Sequence, residues 1–140
     1  MVKRDKDSVL FVCIENSSRS QMAEGFAKRL GMDAFSAGTF PATHVNPLVV
    51  QAMREKGIDI NQNKPKELTP DLIERAGLVV LTDASLARSV DKSLAKKMKK
   101  KLVEWSVPDP QGKSLEEIRF IRDGIERMVL TLRSTSPELG

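Results

Sequence analysis

Residues 9–20 read VLFVCIENSSRS and hold the residue types of this chain that are best suited to chemistry. Cys13 is the only cysteine among 140 residues, and Arg19 follows it after five intervening residues. An ionised thiol is a strong nucleophile, and an arginine offers a planar fork that matches two oxygens of a tetrahedral oxyanion. The stretch therefore predicts a nucleophilic thiolate beside an oxyanion site. A buried, inert cysteine is the alternative, because free cysteines are often small core residues.

The elements on either side of this stretch favour the nucleophile. Residues 9–12 form a β-branched and aromatic run that is typical of a buried strand. Apolar residues then recur at helical spacing from Met22 to Leu30, before Gly31. A loop that joins a strand to a helix N-terminus can point its N–H groups at an anion. The predicted oxyanion-binding loop consists of Ile14, Glu15, Asn16, Ser17, Ser18 and Arg19.

Two polar residues are candidates for supporting the thiolate and the loop, and a third is a candidate for acid catalysis. Ser20 is predicted to donate a hydrogen bond to the sulfur, and Asn16 to hold the shape of the loop. Transfer of a phosphoryl group to sulfur also requires a proton for the leaving oxygen. Asp109 lies between two prolines after a predicted strand, at the edge of the sheet where the strands end, and is the candidate general acid. The alternative is an ordinary turn aspartate. His44, the only histidine, is assigned to a loop.

Strand-like and helical patterns alternate along the whole chain. Further strands are predicted at residues 33–37, 77–82 and 102–105. Helices are predicted from Pro47 to Gly57, over residues 71–75, partly over residues 84–98, and after a capping box formed by Ser114 and Glu117. This order predicts an α/β fold with a four-stranded parallel sheet and helices on both faces. Trp105 and the five phenylalanines are assigned to the core.

Length and composition set further limits. A chain of 140 residues fits one domain, 1–140, of which residues 1–8 are expected to be flexible. The net charge is +4, and the lysine-rich residues 96–101 are interpreted as a solvated face. A nucleic acid partner is not expected, because aromatic residues do not alternate with these lysines. No signal peptide, membrane span or cluster of metal ligands is visible. We expect a cytoplasmic monomer without a metal or tightly bound cofactor.

Several stretches, taken together, resemble the low-molecular-weight tyrosine phosphatase superfamily and, within it, the arsenate reductase branch. The matching stretches, in the order of the family, are residues 9–25, 36–50, 52–60 and 105–129. The resemblance implies flavodoxin-like winding of the sheet. It also implies that Cys13 is the nucleophile, that Arg19 and the loop backbone bind phosphate, arsenate or sulfate, and that Asp109 is the acid. Ser20 and Asn16 would support the thiolate and the loop.

The residues around these motifs leave two activities open. Gln21 stands where the phosphatases usually have proline, and the chain has no tyrosine, which favours an arsenate reductase. The reductases, however, often have a second cysteine where Ser18 stands, and relay cysteines after the third strand. An arsenate reductase with one cysteine needs an external thiol, either small or carried by a redox protein.

The alternative to the reductase is a protein tyrosine phosphatase that hydrolyses phosphate monoesters through a phosphocysteine, which needs no second thiol. A third possibility is a non-catalytic anion-binding protein. Its only support is Glu15, which stands where both branches commonly have glycine. A carboxylate at this position is expected to weaken anion binding unless its side chain points away.

Overall fold

The computed structural model describes residues 8–135, and its centre is a four-stranded parallel sheet. The strands are β1 (Val9–Cys13), β2 (Ala34–Gly38), β3 (Leu78–Leu81) and β4 (Leu102–Glu104), in the spatial order β2-β1-β3-β4. The helices are α1 (Arg19–Arg29), α2 (Pro47–Arg54), α3 (Pro70–Arg75), α4 (Leu86–Ser89), α5 (Lys92–Met98) and α6 (Leu115–Thr135). The predicted α/β architecture is therefore confirmed, including the flavodoxin-like winding.

Alternate residues of β1 point into two separate hydrophobic cores, as the two-residue period of a strand requires. Val9 and Phe11 lie in a core with residues of α1, α2 and α6. Leu10 and Val12 lie in a second core with residues of α3, α4 and α5. All five residues of β1 are buried, so both faces of the sheet are covered by helices, as predicted.

Most predicted elements lie within a few residues of the observed ones, and the differences have local causes. The helix predicted to reach Gly57 ends at Arg54, and the chain then turns through Gly57 at a φ of 77°. The region 84–98 forms two helices, because Asp91 caps a new helix by accepting a bond from the backbone N–H of Ser93. The capping box is confirmed by the bond from the N–H of Glu117 to Ser114 Oγ, 3.2 Å long.

Three side-chain assignments are refined by the structure. Trp105 is buried, and its ring centroid lies 5.7 Å from that of Phe11. The assignment of all five phenylalanines to the core is wrong, because Phe40 and Phe120 are 78% and 75% exposed. In the lysine-rich segment, Lys101 donates to backbone oxygens at the C-terminal end of α3, and Lys97 pairs with Glu74. The other lysines of this segment are exposed to solvent.

The sequence predicts that residues 1–8 are flexible. Of these, residues 1–7 lie outside the described part of the chain. Ser8 is buried, and its hydroxyl donates to the backbone oxygen of Arg75. Between residues 8 and 135, no helix is both long and apolar enough to cross a membrane. In the same range, no three or more His, Cys, Asp or Glu side chains are grouped so that they could hold a metal ion.

Glu55 connects the C-terminal end of α2 to α6 through two arginines. Its carboxylate accepts hydrogen bonds from Arg119 and from Arg122. The bond from Arg119 is the main cause that lowers the pKa of Glu55 from 4.5 to about 2, against a smaller opposing effect of desolvation and with further help from Arg122. Because the folded pKa is depressed, the stabilisation is complete above pH 4.5 and is lost as the pH falls towards about 2.

We therefore expect Glu55→Gln to lower the melting temperature at pH 7 and to have little effect near pH 2. Thermal unfolding of both proteins between pH 7 and pH 2, followed by circular dichroism, measures the difference. The two curves should converge below pH 4.5, where the wild-type carboxylate becomes protonated. A difference in melting temperature that stays constant over this range would contradict the assignment.

The sheet places the sequence motifs of interest at one edge. Cys13 is the last residue of β1 and pairs in register with Gly38, the last residue of β2. The chain passes from β1 to β2 on one side of β1, and later returns to β3 on its other side. In open parallel sheets, ligands bind beyond the carboxyl ends of the strands at such a reversal of strand order.

Candidate active site

A cleft of about 310 Å³ opens at this edge of the sheet. It is lined by the predicted loop, by the segment after β2 and by the turn after β4, with the residues Cys13, Ile14, Glu15, Ser17, Ser18, Arg19, Ala42, Thr43, His44, Asn46, Pro47, Asp109 and Gln111. The structure thus brings Cys13, Arg19 and Asp109 to one cleft, although Cys13 and Asp109 are far apart in the sequence.

The loop is held by its backbone oxygens. Those of Cys13, Ile14, Glu15 and Ser17 each accept a bond from a backbone N–H in residues 39–46, at 2.7–3.2 Å. Conversely, the backbone N–H groups of Glu15, Ser17 and Ser18 make no hydrogen bond to any described residue. Since the carbonyls are drawn towards one side, these amides are left for a ligand. A run of unpaired amides before a helix N-terminus is an anion-binding arrangement.

Gly38 gives the loop the space it occupies. A Cβ atom at this position would lie 2.5 Å from the backbone oxygen of Ile14 and 2.8 Å from the backbone nitrogen of Asn16. Both neighbours are backbone atoms and have no rotamer into which they can retreat. The absence of a side chain at Gly38 is therefore a condition for the observed path of the loop.

The thiol of Cys13 is buried at the base of the cleft and is surrounded by donors. The hydroxyl of Ser20 lies 2.8 Å from the sulfur, and the backbone N–H of Asn16 donates to the sulfur over 3.1 Å. Two hydrogen-bonding groups therefore converge on the sulfur, which is the atom predicted to act as the nucleophile. Ser20 and Asn16 thus both contact the sulfur, and their roles in supporting the thiolate and the loop stay a prediction.

The direction of the bond between Ser20 and Cys13 follows from Asn16. The backbone N–H of Lys66 can only donate, and it donates to Asn16 Oδ1, so this atom is the amide oxygen. Nδ2 of Asn16 then donates to Ser20 Oγ over 2.8 Å and to Ser36 Oγ over 2.9 Å. Because Ser20 accepts from Asn16, its hydroxyl proton remains for the sulfur. Asn16 makes these bonds at a φ of 51°, which asparagine tolerates better than most residues.

A buried carboxylate terminates this chain of hydrogen bonds. Ser36 accepts from Asn16 and donates its own proton to Glu24, which is 4% exposed. The second oxygen of Glu24 accepts from Lys28 Nζ at 2.6 Å. The chain from Glu24 to Cys13 is therefore continuous, and each hydroxyl in it has both an acceptor and a donor.

Arg19 begins α1 and is buried beneath the loop. Its Nη1 donates to the backbone oxygen of Val107 at 2.9 Å and to the carboxylate of Asp83 at 3.2 Å. Burial of Asp83 favours its neutral form, but hydrogen bonds from Ser85 and the charge of Arg19 outweigh this and lower the pKa of Asp83. Asp83 is therefore a carboxylate at neutral pH, and it compensates part of the arginine charge.

Asp109 and His44 enter the cleft from opposite loops. Asp109 is exposed, and its Oδ1 accepts from the backbone N–H of Gln111 at 3.0 Å, so the turn geometry of the alternative interpretation is also present. His44 is a loop residue, as predicted, but it lines the same cleft as Cys13. Its Nδ1 lies 3.0 Å from the hydroxyl of Thr43.

Sequence reasoning missed the residues that hold the loop from a distance. They are Gln21, Glu24, Ser36, Gly38, Lys66 and Asp83. One signal was available, because Gln21 and Glu24 are polar residues within α1, the most buried helix among residues 8–135. Polar side chains in such positions are almost always bound to buried partners. For Lys66 there was no signal, since its contribution is a backbone N–H.

Comparison with known proteins agrees with the fold and with the family that the sequence resembles. The chain is 38% identical over 133 residues to an arsenate reductase of Staphylococcus aureus (strain Newman), covering 92% of this chain and 98% of that protein.

Two solved structures superpose closely on the fold. One is an arsenate reductase in the phosphate binding state, with a TM-score of 0.80, 31% identity, and coverage of 92% of this chain and 98% of the other. The second is a low molecular weight protein tyrosine phosphatase from T. tengcongensis, with a TM-score of 0.82, 30% identity, and coverage of 91% and 98%. The family model of the low molecular weight phosphotyrosine protein phosphatases matches residues 8–136. The chain therefore belongs to the low molecular weight phosphotyrosine protein phosphatase family.

Proposed function

We propose that this protein is an arsenate reductase in which Cys13 attacks arsenate and an external thiol completes the reaction. The observation that carries the proposal is the environment of Cys13. Its sulfur receives hydrogen bonds from Ser20 and from the N–H of Asn16, at the base of a cleft lined by unpaired loop amides. A thiolate and a tetrahedral oxyanion are thus accommodated together. The identity to arsenate reductases supports arsenate as this oxyanion.

The reaction is balanced as follows. The Cys13 thiolate forms a bond to arsenic, and one arsenate oxygen leaves as water after protonation. The thiolate of the external thiol then attacks the Cys13 sulfur, the sulfur–arsenic bond breaks, and its electron pair remains on arsenic, which leaves as arsenite. A second external thiol reduces the resulting mixed disulfide and restores Cys13. Two thiols are oxidised for each arsenate reduced.

The requirement for an external thiol follows from the cysteine content. Cys13 is the only cysteine of the 140 residues, so no second thiol of the same chain can attack it. Thiols that remain reduced, both small and protein-borne, are characteristic of the cytoplasm, where we place the reaction.

The test is arsenite production with thiol donors of increasing size: a small monothiol, a small dithiol and a dithiol redox protein. We expect arsenite in proportion to the thiol oxidised with at least one donor, and none without a donor. The Cys13→Ser variant is the matched control and should produce no arsenite. If no donor supports arsenite formation by the wild type, the proposal fails.

A second candidate function, phosphate monoester hydrolysis, is favoured by the position of Asp109 in the same cleft. Cys13 would take the phosphoryl group while Asp109 protonates the leaving oxygen, and a water activated by Asp109 would hydrolyse the phosphocysteine. An aryl phosphate assayed at mildly acidic pH, in parallel with arsenate, separates the two functions. Asp109→Asn should reduce this hydrolysis strongly, and turnover that survives Cys13→Ser would exclude this site.

Glu15 provides a prediction about substrate affinity. It is half-buried, lines the cleft and forms no ion pair with any cation among residues 8–135. A carboxylate this close to the oxyanion loop repels a free dianion. We expect Glu15→Gln to lower the KM for arsenate about three- to tenfold with little change in kcat, and to weaken the dependence of kcat/KM on salt.

Steady-state kinetics of arsenate reduction at low and high ionic strength measure this effect. Glu116→Gln, which removes an exposed carboxylate from α6, is the control for net charge. An unchanged KM in Glu15→Gln would mean that the side chain points away from the bound anion.

A further inference from the structure

Arg19 is fixed through only one of its three nitrogen atoms. Nη1 uses its two N–H groups on Val107 O and Asp83 Oδ2, whereas no described residue accepts from Nε or Nη2. None of the described side-chain nitrogen atoms is both fully buried and without a partner, so Nε and Nη2 reach solvent. Arg19 lines the cleft, and this free edge is the part of the guanidinium that remains available to an oxyanion there.

Asp83 is itself fixed by donors other than Arg19. Its Oδ1 accepts from the backbone N–H of Ser85 at 3.0 Å and from the Ser85 hydroxyl at 2.7 Å. The preceding residue, Thr82, donates through both its N–H and its hydroxyl to the backbone oxygen of Val12, at 2.9 Å each. Asp83 is thus held against the end of β1, and its second oxygen has a defined position relative to the loop.

We infer that Asp83 is the positioning residue of Arg19: it sets the plane of the guanidinium so that the Nε–Nη2 edge faces the oxyanion during transfer to Cys13. The inference rests on the proposed function, in that Arg19 binds the oxyanion. Val107 O alone cannot set this plane, because the guanidinium can rotate about a single contact. The Asp83 carboxylate also offsets part of the positive charge that Arg19 presents to an anion. Oxyanion binding by Arg19 therefore depends more on the orientation of the guanidinium than on its charge.

The distinction between the orientation and the charge of Arg19 has a measurable consequence. Without the Asp83 charge, a ground-state anion such as phosphate keeps or gains attraction to Arg19. An oxyanion with transition-state geometry depends on the orientation of the fork and loses binding. Vanadate, which adds to a thiolate as a five-coordinate oxyanion, is the probe for that geometry. Protection of Cys13 from alkylation reports the binding of either anion without any turnover.

The variant is Asp83→Asn, in which an amide cannot accept from both Ser85 and Arg19 in the same orientation. Its matched control is Asp91→Asn. Asp91 forms the same arrangement, with bonds from the N–H and hydroxyl of Ser93 at 2.8 and 2.5 Å, but it has no arginine. We expect Asp83→Asn to weaken vanadate protection about tenfold and to change phosphate protection less than about twofold. In Asp91→Asn both should stay at the wild-type value.

Equal loss of vanadate and phosphate protection in Asp83→Asn, or loss of neither, overturns the inference. Melting temperatures of the two variants identify a merely structural effect. Such an effect would reduce the protection of Cys13 by both anions in parallel with the loss of stability. Failure of the proposed function is seen separately, as absence of arsenite formation by the wild type. The kcat of Asp83→Asn for arsenate should fall about tenfold while its KM stays close to that of the wild type.

Discussion

Gly38→Ala should abolish most of the activity while leaving the protein folded. The added Cβ would lie 2.5 Å from Ile14 O and 2.8 Å from the nitrogen of Asn16, both of them atoms of the oxyanion loop. The loop must then move, and a displacement of the order of 1 Å at a catalytic site costs about a hundredfold in rate. Phosphate protection of Cys13 should be lost together with turnover. Strain at this edge of the sheet should lower the free energy of unfolding by about 1–3 kcal/mol.

The control is another glycine in a place with free space. A Cβ at Gly124, in α6, would meet only the end of the Arg127 side chain, at 3.8 Å. Gly124→Ala should leave turnover unchanged and stabilise the protein by about 0.5–1 kcal/mol, because glycine is unfavourable inside a helix. Turnover and denaturant unfolding of both variants test the pair. Wild-type activity in Gly38→Ala would show that the loop has room to adapt.

Asn16→Asp should have a comparable effect through hydrogen bonding rather than through steric contact. The substitution removes the donors to Ser20 and Ser36 and places a carboxylate where Nδ2 lay 2.8 Å from Ser20 Oγ. The Ser20 hydroxyl would then donate to this carboxylate and leave the sulfur. We expect turnover to fall about a hundredfold, the equivalent of about 3 kcal/mol. The rate at which iodoacetamide alkylates Cys13 at pH 7 should fall as well.

Asn61→Asp serves as the control, because Asn61 is exposed and its side chain makes no hydrogen bond among the described residues. This variant adds the same charge outside the cleft, and its Cys13 should be alkylated at the wild-type rate. Alkylation of Asn16→Asp at the wild-type rate would refute the direction assigned to the hydrogen bond between Ser20 and Cys13.

The sequence was sufficient to predict those parts of the molecule that depend on local patterns. The buried run of β1, the proline starts of α2 and α3 and the capping box at Ser114 each have a short-range physical cause, and each is present. The meeting of Cys13, Arg19 and Asp109 was predictable because they follow strands that end at one edge of a parallel sheet.

The remaining features depend on pairings between distant segments. Lys66 acts on Asn16 through a backbone N–H that 50 residues separate from it, and any residue except proline would supply that donor. Asp83 reaches Arg19 across 64 residues, and a D-x-S turn in the sequence predicts a helix start, not an arginine partner. The exposure of Phe40 and Phe120 was mispredicted because apolar character alone does not place a residue in the core.

The bonds from residues 39–46 to the loop carbonyls have an implication for how the site can be altered. Because backbone atoms alone make these contacts, the amides keep their positions whichever side chains stand at 14, 15 and 17. Substitutions at those three positions can therefore change the substrate preference while the loop amides keep their arrangement. Residues 14, 15 and 17 are therefore the positions at which to redesign the enzyme for other oxyanions.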